Sequence, residues 1–568
     1  GFNTFSGSVL LGTDTSATPT QYNVILNATQ LQNINSTGLG LNYVLGNNID
    51  ASATSSWNGG AGFVPIGSYA SAFSGMLDGL GFAISNLSIN LASSSSRTTV
   101  GLVGRLAAGG QIRNLGLQGG SFTVSMTGTG SSNNLYAGGL VGYNSGSIDH
   151  SYSTVSMTTS ASGSGMHKDI GGLVGSNAGT SSSALASITN SYATGSISSQ
   201  ASSPDALWNN IGGLVGNAMY GSVSTSYASG DIGSQANAST ALWNDIGGLV
   251  GGGEYGSVSD SYATGNINSV ASNPSSALWN DLGGLMGNYV MGTVSTSYAT
   301  GFIGSTTTGS TTAGSTFNSI GGLVGSSSSA TISNSFWDTE TTGTPFSAGG
   351  TGLTTAQMLQ QASFTGFDFS SPVWVIYQGH TMPLLNVFLS PLTVTAPNQS
   401  QTYTGGSFTL LNPTYSVAGA DTSGHLLGLN DPYNGAVNVG SYSPDLWSDQ
   451  QGYNIALVGG TLTITPKALT LSGLTAASKV YDGSTTTNVT GWGSLTGIVG
   501  SDAVSLVNSS ASAAFADANA GIGKTVTVGG LSLTGAGAGN YVINAQTTTA
   551  DITPKALTLS GLTAANKI

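Results

Sequence analysis

The chain is built around one repeated tetrapeptide. "GLVG", or "GLMG" in one copy, occurs seven times at steps of 33 to 41 residues. Self-similarity at such a period is typical of architectures in which each unit stacks on the next. The copies begin at Gly101, Gly139, Gly172, Gly213, Gly248, Gly284 and Gly322.

A second motif keeps register with the first. Segments such as "GSVSDSYATG" (256–265) and "GTVSTSYATG" (292–301) follow the tetrapeptide, with no stretch of helical period between them. Each unit therefore offers two or three short strands bounded by Gly and Ser turns. Propeller blades need four strands in about 40 to 50 residues. We therefore predict an all-β fold, a parallel β-helix that is right-handed by the rule for parallel crossovers.

Equivalent residues of stacked coils lie about 4.8 Å apart, so a column must tolerate its own neighbours. One predicted column is an aromatic stack of Tyr152, Tyr192, Tyr227, Tyr262, Tyr298 and Phe336. Two residues earlier lies a column able to form hydrogen bonds at a corner: His150, Asn190, Thr225, Asp260, Thr296 and Asn334. "GGGEYG" (251–256) matches a phosphate-loop pattern, but the equivalent "GNAMYG" (216–221) lacks the middle glycine, so we expect no nucleotide site.

Composition narrows the class of partner. Only 5% of residues are charged while 39% are hydrophobic, and the mean hydropathy of +0.13 favours a folded chain. The net charge is −13 and the nine basic residues are scattered, so we expect no nucleic-acid partner and no anionic membrane surface. There is no apolar run of about 20 residues, so we expect no membrane insertion. There is no cysteine and no signal peptide at Gly1, as in a mature or excised segment.

The composition changes at Pro391, where prolines become more frequent, and "KALTLSGLTAA" (467–477) returns at 555–565. We predict that residues 1–345 form the β-helix and that 346–390 form a capping segment. Tandem small β-sandwich-like domains should follow. Their predicted ranges are 391–466 and 467–554, with 555–568 as the start of a further repeat in a longer array.

Most catalytic and metal motifs are missing from the sequence. No two aspartates are two residues apart, which removes the EF-hand spacing, and neither Glu254 nor Glu340 lies next to a histidine, which removes the H-E-x-x-H zinc motif. No nucleophile elbow accompanies the four histidines. The sequence therefore favours a protein without catalytic activity or a bound cofactor.

Two columns are candidate binding sites. One contains His167, Trp208, Trp243, Trp279 and Phe317; an exposed ladder of indoles could stack on pyranose rings, whereas an inward ladder would fill the core. The adjoining "SQASSPDALWN" (199–209) is interpreted as a loop on one edge. The other column has Asp169, Asp245 and Asp281 among Asn210 and Ser319. Stacked carboxylates repel unless they are solvated or bridged by a cation such as Ca²⁺, so these three are candidate calcium ligands.

These motifs resemble a known class of protein. "IGGLVG" followed by "GSVSDSYATG" looks like the GLUG repeat. "FSGMLDGLGFAISNLSI" (73–89) and "SFWDTETTG" (335–343) resemble the segments that flank such repeats in filamentous-haemagglutinin-like adhesins. The 391–466 segment resembles the MBG domain, and "KVYDGST" (479–485) resembles the start of the YDG domain. The resemblance implies an adhesin on the outer surface of a Gram-negative bacterium, exported by two-partner secretion with an outer-membrane partner.

Three function classes follow. A rigid adhesin bound to polysaccharide or a cell-surface receptor, as in attachment or a biofilm matrix, requires the indole ladder to face solvent. A structural filament or stalk that self-associates end to end or side by side requires open strand edges. A polysaccharide-degrading β-helix enzyme requires acidic or basic side chains that converge on one face.

Overall fold

The computed structural model describes residues 8–11, 20–128, 133–272, 277–308, 316–370 and 372–566. It divides into two compact units, Gly1–Phe388 and Leu389–Ile568. The first contains a parallel β-solenoid of about eight turns and the second consists of small sheets, which confirms the predicted all-β fold class. None of the described helices has the length and hydropathy of a membrane-spanning segment.

Five sheets run along the solenoid, and we number them in the order in which a coil visits them. One coil passes through Ser257–Ser259 in sheet 1, Tyr262–Ala263 in sheet 2, Ile267–Ser272 in sheet 3, Ala277–Gly283 in sheet 4 and Met286–Val290 in sheet 5. The expectation of two or three strands per coil is therefore wrong.

Sheets 1 and 2 meet at the corner that carries the "SYATG" motif. Sheet 1 contains Ser8–Leu11, Thr20–Ile25, Tyr43–Leu45, Met76–Asp78, Gln111–Arg113, Ser147–Asp149, Ala186–Thr189, Gly221–Ser224, Ser257–Ser259, Thr293–Ser295 and Thr331–Ser333, parallel except for the first pair. Sheet 2 contains Ile49–Asp50, Ala83–Ser85, Gly116–Gln118, Tyr152–Ser153, Tyr192–Ala193, Tyr227–Ala228, Tyr262–Ala263, Tyr298–Ala299, Phe336–Asp338 and Thr351–Leu353.

The other three sheets have seven strands each. Sheet 3 contains Ser88–Ser93, Ser121–Gly128, Ser156–Gly163, Ile197–Ser203, Ile232–Ala238, Ile267–Ser272 and Ile303–Thr308. Sheet 4 contains Arg97–Val100, Asn133–Gly138, Met166–Gly171, Ala206–Gly212, Ala241–Gly247, Ala277–Gly283 and Thr316–Gly321. Sheet 5 contains Val103–Leu106, Val141–Asn144, Val174–Asn177, Val215–Met219, Val250–Glu254, Met286–Val290 and Val324–Ser328.

The segment interpreted as an edge loop is a pair of strands. In Ile197–Ser203 the residues alternate between buried and exposed, and the buried ones after Ile197 are small: Ser199, Ala201 and Ser203. A two-residue period is the pattern of a strand with one buried face. The small Ser and Ala side chains had suggested a loop, but they lie on the buried face of sheet 3.

Glycine lets the coils stack closely where sheet 4 turns into sheet 5. A Cβ on Gly248 would overlap the carbonyl oxygen of Gly284 in the next coil and lie 2.9 Å from the Cβ of Ala263. Only a residue without a side chain fits so close to another backbone. Leu249 and Val250 are both fully buried because the chain bends at this point, so they do not alternate as in a straight strand.

Two ladders of polar side chains run through the interior. At the corner of sheets 1 and 2, Ser226 Oγ accepts from the backbone N–H of Ser191 at 3.1 Å and donates to the carbonyl of Ser224 at 2.7 Å. Between sheets 3 and 4, the Asn244 amide donates to Asn280 Oδ1 at 2.6 Å and to Ser269 Oγ at 3.1 Å. Both ladders pair polar groups that would destabilise the core if left unpaired.

The predicted aromatic and corner columns are present. Consecutive tyrosine rings from Tyr152 to Tyr298 stack with centroids 4.8 to 4.9 Å apart. The corner residues have a left-handed backbone, with φ between 44° and 48°: His150, Asn190, Thr225, Asp260, Thr296 and Asn334. Their side chains bond along the axis, for example Thr296 Oγ1 to Asp260 Oδ1 at 2.6 Å.

Short helices and a closing segment complete this unit. Helices Ala28–Gln32 and Ile34–Thr37 pack Leu31 and Ile34 into the first coils, followed by the 3₁₀ turn Ser52–Gly60. After the last coil come helix Thr355–Met358, the 3₁₀ turns Gln361–Ser363 and Asn386–Phe388, and the strand pair Trp374–Val375 with Leu384–Leu385. This segment packs on the side of the solenoid, where Tyr298 Oη donates to the carbonyl of Pro383 at 2.7 Å.

The second unit consists of two strand domains. The first has strands Ser390–Ala396, Gln399–Thr402, Thr414–Tyr415, Leu426–Leu427, Gly440–Tyr442, Trp447–Ser448, Tyr453–Gly459 and Leu462–Thr465, with the 3₁₀ turn Ala420–Thr422. The second has strands Lys467–Ser472, Thr475–Ala476, Lys479–Val480, Thr486–Thr487, Val489–Gly491, Ser494–Thr496, Ser505–Val507, Ser512–Phe515, Gly521–Gly529, Ser532–Thr534, Tyr541–Ile543 and Gln546–Thr553, with the 3₁₀ turn Ala538–Asn540.

We expect Gly248→Ala to destabilise the solenoid by about 1–3 kcal/mol, because the added methyl group must displace the backbone of the next coil. The matched control is Gly233→Ala in sheet 3, where the nearest atom to the new Cβ is the Ile197 carbonyl oxygen at 3.8 Å. Chemical denaturation followed by circular dichroism measures both. An equal loss of stability in the two variants would contradict the close stacking of the glycine bend.

Candidate functional site: a groove beside an indole ladder

Side chains along the strands of sheet 4 alternate between the interior and the outer face of the sheet. In Ala241–Gly247, Leu242, Asn244 and Ile246 are buried in the interior, while Trp243 and Asp245 belong to the opposite face of the strand. The alternative in which the indoles fill the core is therefore wrong, because leucine and asparagine already occupy the inward positions. Both columns singled out from the sequence lie on the outer face of one sheet.

The indoles form a continuous stepped stack. Trp208 and Trp243 have centroids 4.7 Å apart at 2°, and Trp243 and Trp279 have centroids 4.8 Å apart at 3°. Phe317 extends the stack at 5.9 Å. Flat rings in contact are only about 3.5–4.0 Å apart, so each ring is offset from the next and leaves part of its face uncovered. Trp208 is 39% exposed and Phe317 is 50% exposed.

His167 lies in the same column, but its side chain contacts a carboxylate. It pairs in register with Trp208, and its Nε2 lies 2.9 Å from Asp169 Oδ1. Burial alone would lower the pKa of His167, but the charge and hydrogen bond of Asp169 outweigh burial and raise that pKa. Asn210 donates to the same Asp169 oxygen at 2.9 Å. His167 is therefore held by the carboxylate at one end of the ladder.

Sheet 5 forms a second wall opposite the aspartate column. A Cβ on Gly252 would lie 3.1 Å from Asn210 Oδ1 and 3.5 Å from Asp245 Oδ2. The residues in register with Gly252 are polar: Ser176, Asn217, Asn288 and Ser326. The two sheets thus enclose a narrow polar groove, and Gly252 widens it next to Asp245.

Two carboxyl groups in this groove resist ionisation. Burial, followed by the charge of Asp281, raises the pKa of Asp245 to about 8. Burial also raises the pKa of Asp281. The Oδ1 atom of Asp245 is buried without a hydrogen-bond partner among the described residues. Both shifts favour the protonated carboxyl, which lowers the charge repulsion between neighbouring strands.

The structure does not gather the three aspartates into one cluster. Asn210 separates Asp169 from Asp245 in the column. Within the described ranges, no three histidine, aspartate or glutamate side chains are placed to hold a metal ion. The calcium hypothesis therefore rests on the Asp245–Asp281 pair alone.

An aromatic cluster that the sequence did not reveal lies at the N-terminal end of the groove. Tyr136 precedes Asp169 in its column and stacks on Tyr69 at 6.2 Å. The guanidinium groups of Arg97 and Arg105 lie 4.6 and 4.8 Å from the Tyr69 ring centroid, which is cation–π geometry. Tyr69 comes from a connecting segment outside the repeat, so no repeat alignment could place it here.

Lys168 is the other residue that sequence reasoning missed. It occupies the inward position that Asn209 takes in the next coil, and it is fully buried. Its Nζ donates to Ser199 Oγ at 2.7 Å and to the carbonyl of Gln200 at 2.9 Å. Burial lowers the pKa of Lys168 to about 7. The recurrent asparagine after each tryptophan was the available sequence signal for this inner column.

Comparisons with protein families agree with this geometry. The GLUG motif matches residues 133–159, 167–198, 209–233 and 244–268, and the YDG domain matches residues 465–550. Each GLUG match begins in sheet 4 and ends in sheet 3, so it covers most of one coil. The chain is therefore a repeat protein that contains GLUG motifs and a YDG domain.

Matches to individual proteins are shorter or weaker. Halomucin from Haloquadratum walsbyi (strain DSM 16790 / HBSQ001) is 47% identical over 93 residues, which is 16% of this chain and 1% of halomucin. A crystal structure of a proposed immunoglobulin A1 protease from Bacteroides ovatus aligns with 65% of this chain and 93% of its own, at 17% identity and a TM-score of 0.35. That score is too low to support a conclusion about fold or activity.

The groove makes stability depend on pH. Because folding raises the pKa of Asp245 from 3.8 to about 8, the folded state holds a proton that the unfolded state releases. Relative to Asp245→Asn, the parent chain should lose stability as the pH rises from about 4 to about 8 and change no further above that.

The control for this experiment is Asp205→Asn, at an exposed turn between sheets 3 and 4. It should unfold in parallel with the parent chain at every pH. Thermal unfolding at a series of pH values measures all three proteins. A constant stability difference between the parent and Asp245→Asn would show that Asp245 is not protonated in the groove.

Proposed function

We propose that this protein is a surface-associated, non-catalytic binding protein that holds polysaccharide along the indole ladder. The ladder supplies the flat apolar contact and the adjoining groove supplies hydrogen-bonding groups for hydroxyls. The function is that of a rigid adhesin, in which the solenoid presents the ladder and the strand domains serve as spacers.

One observation carries this proposal: three stacked indoles and a phenylalanine lie on the outer face of sheet 4, partly exposed. Large apolar side chains that recur on a surface mark a binding site more often than a structural need. Sugar rings offer C–H faces that pack on aromatic rings and hydroxyls that pair with amides and carboxylates. Asn217, Asn288 and Ser326 of sheet 5, which are half-buried, provide such polar groups beside the ladder.

A surface location is supported by the GLUG motifs, the YDG domain and the similarity to halomucin. The finer proposal is the outer surface of a Gram-negative bacterium, with export through an outer-membrane partner. It rests on the resemblance of the flanking segments to filamentous-haemagglutinin-like adhesins.

The lack of catalysis is also part of the proposal. Asp169, Asp245 and Asp281 form a column along the axis and do not converge on one point. Arg97 and Arg105 stack on Tyr69 at the N-terminal end of the groove. A glycoside hydrolase needs two carboxyl groups that flank the scissile bond, whereas Asp245 and Asp281 lie side by side on adjacent strands of one sheet.

A self-associating filament is the second candidate function. The outward residues of sheet 3 form an exposed, uncharged face that includes Ser160, Gln200 and Gln235. Ile303–Thr308 and Thr316–Gly321 are the last strands of sheets 3 and 4. Last strands of this kind can pair with another chain. Concentration-dependent sedimentation of the chain without any ligand would favour this candidate.

The triple variant Trp208→Ala, Trp243→Ala, Trp279→Ala tests the first candidate. We expect it to remain folded, because the outward indoles are not part of the core, and to lose binding to any polysaccharide retained by the parent chain. The matched control is Tyr220→Ala, Tyr255→Ala, which removes another stacked aromatic pair, with centroids 5.1 Å apart, beyond sheet 5. A glycan array read with both variants makes the measurement.

Binding lost only in the tryptophan variant would support the proposal. Binding that survives in that variant, or a parent chain that binds no polysaccharide and no intact cell, would contradict it.

A further inference from the structure

The two strand domains of the second unit are joined by a tyrosine–aspartate contact. Tyr403 of the first domain and Tyr541 of the second both donate to Asp502 Oδ2, at 2.9 and 2.6 Å. Their rings lie edge to face with centroids 5.4 Å apart. Such aromatic pairs add stability beyond the area that they bury.

Further bonds fix the orientation of the two domains. Asn540 Oδ1 accepts from the backbone N–H of Val439 at 2.9 Å, and its amide donates to Asn438 Oδ1 at 2.9 Å. Tyr403 is only 5% exposed and shares one apolar cluster with Leu469 and Tyr541. The two domains therefore contact each other through a specific packed interface.

The second domain presents the same strand geometry at its far end. Gln401 pairs with Ile464 in parallel, and Lys479 pairs with Ile552 in the same way. Two residues after each of these pairs lies a tyrosine, Tyr403 in the first domain and Tyr481 in the second. The Tyr403 backbone N–H bonds to the Thr465 carbonyl at 2.9 Å, and the Tyr481 N–H bonds to the Thr553 carbonyl at 2.8 Å.

The amino-acid sequence that follows each of these strand pairs is also the same. Thr465 and Thr553 are both followed by "PKALTLSGLTAA". In the first copy this sequence begins the second strand domain, and Leu469 is 1% exposed. In the second copy the equivalent Leu557 is 92% exposed, and Tyr481 is 42% exposed. The same sequence is therefore buried in its first copy and exposed in its second. The exposed copy follows Thr553, whose carbonyl accepts a hydrogen bond from the Tyr481 backbone N–H.

We propose that the surface around Tyr481 is a docking site for another copy of the 467–554 domain, one whose first strand is formed by residues from Lys555 onward. In this interface the Tyr481 hydroxyl donates to the counterpart of Asp502, and its ring packs on the counterpart of Tyr541. Successive strand domains then hold one another at the same orientation, so the array is a stiff rod.

The neighbouring charge does not oppose this contact. Tyr481 is followed by Asp482, where Tyr403 is followed by Thr404. Lys479 Nζ donates a hydrogen bond to Asp482 Oδ1 at 2.8 Å. The backbone N–H and the side-chain hydroxyl of Ser484 each donate one hydrogen bond to the same oxygen. Asp482 is therefore compensated within its own loop, and a second carboxylate can approach Tyr481 from outside.

The test uses the full chain with residues 555–568 replaced by a complete second copy of 467–554. Because the chain has no cysteine, Ser510→Cys in the second domain and in the added copy provides two unique positions for spin labels. Thr422→Cys with Ser510→Cys is the reference pair across the existing interface. Pulsed electron paramagnetic resonance measures the distribution of each distance.

We expect a narrow distribution for both pairs. Tyr481→Ala should broaden only the new pair, and Tyr403→Ala should broaden only the reference pair. Tyr481→Phe, which keeps the ring, should give an intermediate width. Circular dichroism of each variant reports whether the domains remain folded.

A broad distribution for the new pair in the extended chain would overturn the proposal, because the added domain would then move freely. A narrow distribution that Tyr481→Ala leaves unchanged would also overturn it, since docking would then use another surface.

Discussion

Stacking in register is the constraint on which the rest of the solenoid depends. Each residue of a coil lies next to its counterpart in the coils above and below, at the 4.7 to 4.9 Å seen between stacked aromatic rings. A side chain is therefore suitable only if it can neighbour itself. Aromatic rings stack, amides and hydroxyls alternate as donor and acceptor, and like charges repel. This explains why only 5% of the residues are charged and why the interior holds ladders of serine and asparagine.

Two features of each coil create the candidate site. The alternation of sheet 4 sends tryptophan and aspartate outward, and the glycine bend folds sheet 5 close to that outer face. The result is a groove that holds the half-buried Asp245 next to the buried Asp281, where two charges are unfavourable. Burial, followed by the charge of Asp281, raises the pKa of Asp245.

The columns could be predicted from the sequence because a column needs only a repeat length. The Tyr152 and Trp208 columns have the predicted members in the predicted order. The number of strands per coil could not be predicted, because Ser199, Ala201 and Ser203 are small polar or weakly apolar residues that also occur in loops. The direction of the indoles was left open; in the structure Leu207 and Asn209, on either side of Trp208, take the inward positions. The Tyr69 cluster and the sheet 5 wall depend on contacts between segments that no local pattern relates.

The most direct test of in-register stacking is to remove one coil. Deletion of residues 243–278 joins Leu242 to Trp279 and keeps every column in register, whereas deletion of residues 243–279 joins Leu242 to Asn280 and moves each following side chain of that strand to the opposite face. Thermal unfolding followed by circular dichroism compares the two with the parent chain. The account predicts that the first deletion keeps the β-sheet spectrum and a midpoint near that of the parent, and that the second unfolds at a clearly lower temperature. Equal midpoints for the two deletions would contradict it.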